Sequence, residues 1–175
     1  MKNVNTKSFW NKAWTRENDR FYEHFYHIVN LLPDKGKVLD IGCGVGTLLK
    51  FIRDNKPKLK LEGRDLSDVA IKKLKEAYIK GSVERLPFIS SKADIIIATE
   101  VLEHMPDDMK LLKNIAKVAP TCIITVPHNR LSPEECNEHF RVYTAETLGE
   151  KIDKYFKHYQ IFDINGYLLV KATNL

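Results

Sequence analysis

This sequence predicts an α/β chain with a doubly wound, mainly parallel sheet, and three observations carry that prediction. The run Lys37-Val-Leu-Asp-Ile-Gly-Cys-Gly-Val-Gly-Thr47 reads as a short buried strand passing through a glycine turn into a helix. Strand-like apolar runs then alternate with amphipathic helical stretches as far as Val126, which points to a parallel sheet covered on both faces. Near the C-terminus, Asn165-Gly166 separates two strand-like runs, a hairpin signal that ends the sheet with an antiparallel pair.

In chain order, the spacing of Phe21, Phe25, Ile28 and Leu32 predicts a helix over Asn18 to Leu32, ended by Pro33-Asp34-Lys35-Gly36. Val38, Leu39 and Ile41 build the first strand, and a helix runs from about Val45 to Arg53. Pro57 marks the turn into a second strand, Leu59 to Arg64. A helix from Asp68 follows, with Ala70, Ile71, Leu74 and Ala77 inward, and then a third strand near Tyr78 to Ser82. Ile95 to Thr99 is a buried fourth strand, Asp108 to Val118 an amphipathic helix, and Thr121 to Val126 a fifth strand. Phe156 to Asp163 and Tyr167 to Ala172 are the hairpin strands. One complete domain spanning 1–175 is expected, with 1–32 as an N-terminal helical segment and no internal repeats.

Composition narrows the classes of function. At 43% hydrophobic and 29% charged, the chain has the make-up of a globular protein, with no apolar run long enough for a membrane and no signal-peptide core at Met1 to Lys7. A cytoplasmic location is expected. Cys43, Cys122 and Cys136 lack paired metal spacing and read as small buried hydrophobes. The net charge of +5 is spread over dispersed lysines, so nucleic acid is not the expected partner.

The glycine turn identifies the class of cofactor. A dinucleotide fingerprint requires a third glycine at the position of Thr47, and Asp40 would oppose a pyrophosphate held at the helix N-terminus. S-adenosylmethionine carries no phosphate, and its ammonium and sulfonium are positive. An acid beside the loop favours it.

On these residues the sequence resembles the class I S-adenosylmethionine-dependent methyltransferases, whose first motif reads much like Asp40-Ile-Gly-Cys-Gly-Val-Gly46. The resemblance continues at Glu62-Gly-Arg-Asp-Leu-Ser67, Gly81-Ser-Val-Glu-Arg-Leu-Pro-Phe88 and Ala93 to His104. It implies a Rossmann-like sheet of seven strands in the order 3-2-1-4-5-7-6, and S-adenosyl-L-methionine as cofactor. It also implies that Asp40, Gly42, Cys43 and Gly44 border the donor and that Asp65, with Leu66 beside it, takes both ribose hydroxyls. Ser82, Val83 and Glu84 would edge the adenine, and Thr99 and Glu100 would line the methionine part. Many relatives have aspartate where Ser82 stands.

The acceptor side is read from polar spacing. Glu100, Glu103 and His104 fall at i, i+3, i+4, which places them on one face if a helix starts there. Some relatives use a Glu-x-x-Glu-His set with a later histidine, a place His139 would fill, to hold a divalent metal. The competing reading, with Glu103 and His104 bonding the loop after the fifth strand, is preferred, and no metal ligand is assigned. His104 and His139 are the candidate general bases. The polar loop Pro127 to Arg141 covers the acceptor, with His128, Asn129, Arg130 and Arg141 available to an anionic group. Phe9, Trp10 and Trp14 form an aromatic cluster, expected to pack the N-terminal segment on the domain, which as a hypothesis closes over the cofactor.

The function expected is in-line methyl transfer to a nucleophile on a small-molecule acceptor. Three alternatives accompany it: a metal-assisted O-methyltransferase acting on RNA or a catechol-like acceptor, a nicotinamide-dependent oxidoreductase, and a noncatalytic cofactor-binding module. Thr47 and Asp40 count against the oxidoreductase.

Overall fold

The computed structural model describes residues 4–16 and 20–175. Two helices, α1 (Lys7–Arg16) and α2 (His24–Leu31), precede the sheet. The order then runs β1 (Gly36–Ile41), α3 (Thr47–Asn55), β2 (Leu59–Asp65), α4 (Asp68–Glu76), β3 (Lys80–Val83) and β4 (Ile95–Thr99). After a one-turn 3-10 helix at Leu102–His104 come α5 (Asp108–Val118), β5 (Thr121–Pro127), α6 (Ala145–Ile152), β6 (His158–Ile164) and β7 (Tyr167–Thr173).

The seven strands form one sheet in the order β3-β2-β1-β4-β5-β7-β6, parallel except where β7 pairs with β5 and β6. This is the expected architecture. Side chains alternate across it because successive residues of a strand point to opposite faces. Val38, Ile95, Ile97 and Ile123 pack with Phe25 and Ile28 of α2 and Leu48 and Ile52 of α3. Leu39, Ile96, Cys122 and Ile124 pack on the other face with Leu111, Leu112 and Ile115 of α5 and Leu148 and Ile152 of α6. Strands buried on both faces have to be apolar at every position, which is why Ile95 to Ala98 shows no alternation.

The structure shifts several boundaries. The single helix expected from Asn18 begins at His24 instead; Asn18 and Asp19 lie outside the described residues. Arg20 to Tyr22 are not helical. Phe21 still meets Phe25 and Phe51 edge-on, at centroid distances of 5.3 and 5.0 Å, so its apolar spacing is satisfied without helix. The third strand starts at Lys80, two residues later than expected, because Tyr78 turns the chain out of α4 with a left-handed φ of 59°. Helix α6 was not anticipated. Thr144 and Thr147 bond reciprocally at its start, a capping box built with threonine in place of the usual acidic or amide partner.

Strand order reverses between β1 and β4, and a crevice opens beyond their carboxyl ends at that point. Among the described residues no helix is long and apolar enough to cross a membrane.

Candidate functional site

The crevice comprises two adjoining cavities of about 340 and 350 Å³. Asp65, Leu66 and Glu84 border the first, and Asp40, Cys43, Gly44 and Thr99 border the second. Gly42 and Glu100 border both.

The donor loop is held by the end of β2. Gly42 and Cys43 donate their backbone N–H groups to the Arg64 carbonyl at 2.7 and 3.0 Å. Gly44 donates to Asp65 Oδ2 at 2.9 Å, and Ser67 donates to Asp65 Oδ1 at 2.8 Å. Asp65 thus ties the glycine turn to the start of α4, whose first turn Ser67 caps through Ala70 N. A carboxylate has about four acceptor positions, so Asp65 keeps acceptor capacity for a ligand hydroxyl beside its backbone donors. Gly44 has φ 52°, and a Cβ there would lie 2.6 Å from the Trp14 ring. Only glycine fits.

Asp40 is 1% exposed, and its Oδ1 has no hydrogen-bond partner among the described residues. Burial, reinforced by the Asp65 charge, pushes its carboxyl well above the usual range. A cationic ligand beside it would restore the ionised form. An acid lacking a partner, an acceptor-only carboxylate and a glycine cradle suit the positive, diol-bearing S-adenosylmethionine.

The expected adenine edge lies at the end of β3. Ser82 and Val83 are exposed on the edge strand β3 and border neither cavity; Val83 faces a surface depression with Asp68 and Lys72. Glu84 does reach the first cavity, but its carboxylate accepts from Ser90 N and Ser90 Oγ and pairs with Arg64 Nε at 3.6 Å. That pairing fixes the following turn, whose Leu86 and Pro87 supply an apolar wall.

On the acceptor side, Glu100 has a left-handed φ of 54° and accepts from Thr125 Oγ1 at 2.9 Å. Burial pushes its carboxyl up to about 7, against the opposing effects of Thr125 and Arg130. Glu103 is 1% exposed, and neither carboxylate oxygen has a hydrogen-bond partner among the described residues, Oε1 lying 4.0 Å from His104 Nε2. Burial and the Glu100 charge raise its pKa well above normal.

The sequence favours Glu103 and His104 bonding the following loop over a cluster with His139; the structure gives the side-chain bond to His104 alone and brings all three residues together. His104 Nδ1 lies 3.2 Å from the Glu138 carbonyl, and His139 Nδ1 lies 2.7 Å from the Leu131 carbonyl. Each carbonyl is an acceptor, so each Nδ1 carries the proton and each Nε2 keeps its lone pair. Glu103, His104 and His139 each offer a ligand atom, all within 4.8 Å of one another. His104, lowered to about 4 by burial and by His139, is neutral at physiological pH. It can accept a proton or a metal but holds a proton weakly.

Two of the anion-binding candidates are occupied structurally. Arg141 donates to the Met105 and Pro106 carbonyls, each at 2.8 Å, and pairs with Asp108 at 3.1 Å. His128 Nδ1 meets Asp163 at 2.6 Å. Arg130 lies 4.2 Å above the Tyr167 ring. Tyr167, Tyr22 and Phe25 give the second cavity an aromatic wall, unassigned from sequence. Its members come from opposite ends of the chain and meet only in the fold.

Helix α1 lies across the opening. Trp14 approaches Gly44, Trp10 meets His104 edge-on at 5.2 Å, and Asn5 donates to the His104 and Glu138 carbonyls at 3.2 and 2.8 Å. Lys7 pairs with Asp68 at 2.8 Å, and Asn11 accepts from Ser67 Oγ at 2.6 Å. The helix therefore bridges both walls of the crevice.

Comparison with known proteins agrees with this geometry. A family model described as a methyltransferase domain matches residues 14–165. The ubiquinone biosynthesis O-methyltransferase of Coxiella burnetii is 30% identical over 125 residues, 66% of this chain and 50% of that protein. Cycloartenol-C-24-methyltransferase 1 of Oryza sativa subsp. japonica is 29% identical over 119 residues, 62% of this chain and 35% of that protein. The chain thus spans half or less of the length of these relatives. The magnesium protoporphyrin IX methyltransferase of Synechocystis PCC 6803, solved with bound S-adenosylhomocysteine, superposes with a TM-score of 0.74. That match is 14% identical and covers 97% of this chain and 98% of the other, which establishes a shared fold. With the family model spanning most of its length, this chain belongs to the class I S-adenosylmethionine-dependent methyltransferases.

Proposed function

We propose that residues 1–175 act as one catalytic unit that transfers the methyl group of S-adenosylmethionine to a hydroxyl oxygen of a small aromatic acceptor, in the cytoplasm. Asp40 would face the donor ammonium, Asp65 the ribose, and the turn after β3 the adenine. The acceptor oxygen attacks the methyl carbon, the carbon–sulfur bond breaks with its electron pair left on sulfur, and the hydroxyl proton departs. Alignment of the three reacting atoms can supply about 7 to 11 kcal/mol of the barrier.

The observation that carries the oxygen acceptor is the Glu103, His104 and His139 cluster, whose ligand atoms lie within 4.8 Å of one another and whose two carboxylate oxygens are buried without hydrogen-bond partners. This donor set fits a divalent cation, as does the anchoring of each Nδ1 on a backbone carbonyl. Bound there, the cation would orient and acidify the acceptor hydroxyl. Without the cation, the same Nε2 atoms of His104 and His139 are the candidates to receive the proton; with it, their lone pairs are taken and the proton leaves to solvent. The wall of Tyr22, Phe25 and Tyr167 supports an aromatic acceptor over RNA, and the ubiquinone-pathway relative is an O-methyltransferase by name.

Transfer of labelled methyl to hydroxylated aromatics, aliphatic alcohols, amines and RNA, with magnesium, manganese or chelator, tests the reading. Chelator-sensitive labelling of an aromatic hydroxyl is expected. Labelling confined to RNA or to amines, or insensitive to chelator, would overturn it.

A further inference from the structure

Helix α1 presents Phe9, Trp10, Ala13 and Trp14 toward the crevice, yet none of its described residues is buried. Aromatic side chains that merely fasten a helix to a core lose most of their exposure. Trp10 and Trp14 are only half-buried because parts of their surfaces border cavity.

Five residues border both cavities: Trp10, Trp14, Gly42, Glu100 and His104. They mark the junction. Asp65 lies on one side and Asp40 on the other, so a donor reaching from a ribose at Asp65 to an ammonium at Asp40 carries its sulfonium through that junction. Trp14 is committed to the glycine turn, where its ring covers Gly44. Trp10 touches Trp14 at a centroid distance of 6.5 Å and His104 at 5.2 Å, which holds its indole at the crossing point.

We propose that Trp10 is the residue of this chain that reads the sulfonium charge, so that α1 closes preferentially on the methyl donor and loosens on the demethylated product. An aromatic face attracts a nearby cation through its quadrupole, and the attraction strengthens where water is excluded. Methyl transfer converts the sulfonium into a neutral thioether and abolishes that attraction while leaving ribose, adenine and ammonium contacts intact. The inference rests on the donor site described above and adds a means of telling donor from product.

Calorimetric titration of wild type, Trp10→Leu, Trp10→Phe and Trp14→Leu with S-adenosylmethionine and with S-adenosylhomocysteine tests it. Circular dichroism and thermal melts verify folding, which should survive because α1 has no buried residue. For Trp10→Leu, donor affinity is expected to fall on the order of tenfold while product affinity changes less than about twofold. Trp10→Phe should keep part of the preference, since it keeps an aromatic face. Trp14→Leu should weaken both ligands alike. Equal losses for donor and product in Trp10→Leu, or no loss of either, would overturn the charge-reading role. Failure of folded wild type to bind either ligand would instead overturn the assignment of the donor site.

Discussion

The two halves of the crevice are built on different terms. On the donor half, Gly42, Cys43, Gly44 and Ser67 donate to β2, and Asp65 is engaged at both oxygens. On the acceptor half, Glu103 has two buried oxygens without hydrogen-bond partners among the described residues, and Glu100, Asn129 and Leu131 all take positive φ. Buried polar groups without partners are costly, and strained backbone persists only where its surroundings impose it. Apart from Asp40 Oδ1, the donor half is therefore preorganised by its own hydrogen bonds, while the acceptor half holds unsatisfied groups that a bound species can complete.

The sharpest way to break this contrast is Asp65→Ala. It removes two hydrogen bonds to a charged acceptor as well as the diol site. At about 1.5 to 3 kcal/mol for each such bond, donor affinity measured by calorimetry should fall at least about 100-fold. A loss under about threefold would mean that the glycine turn keeps its shape without Asp65, and the donor half would not be the preorganised one.

A mutation on the other wall should give the opposite pattern. His139→Ala removes an Nε2 lone pair from the cluster and leaves the donor loop untouched, so turnover should drop about 10- to 100-fold. Affinity for S-adenosylmethionine should stay within about threefold of wild type. If donor binding and turnover fell together, the two halves would be one coupled site.

This difference also explains how much of the molecule was legible in the sequence. Asp40 to Thr47 is contiguous, its glycines answer a local backbone requirement, and strand and helix follow directly from the apolar pattern. The glycine turn was readable for that reason; the sheet order came with the family resemblance that these motifs carry, and it is the order observed. The acceptor wall joins Tyr22, Glu103, His139 and Tyr167, and α1 is pinned by a bond from Asn5 to Glu138 across 133 positions. No local spacing encodes such contacts. Ser82 and Val83 stand on the edge strand of the sheet, where exposure is set by neighbours rather than by motif. Arg141 looked like an anion site because sequence does not show the Met105 and Pro106 carbonyls that engage it.

The smallest effect reports on the aromatic wall itself, through acid. His24 is 1% exposed, its Nε2 has no partner among the described residues, and its ring stacks on Tyr22 at 5.1 Å. Burial, aided by His27, lowers its pKa from 6.5 to about 4. The unfolded chain therefore binds a proton at a higher pH than the folded one. The stability associated with neutral His24 is fully present above about pH 7 and drains away as pH falls from 6.5 toward 4. Between pH 7.5 and 5 this amounts to roughly 2 kcal/mol. Urea unfolding of His24→Phe should show a shallower fall over that range than wild type, with the two curves parallel above pH 7. Parallel curves throughout would mean that the proton is taken up without cost, and that this wall satisfies its polar groups.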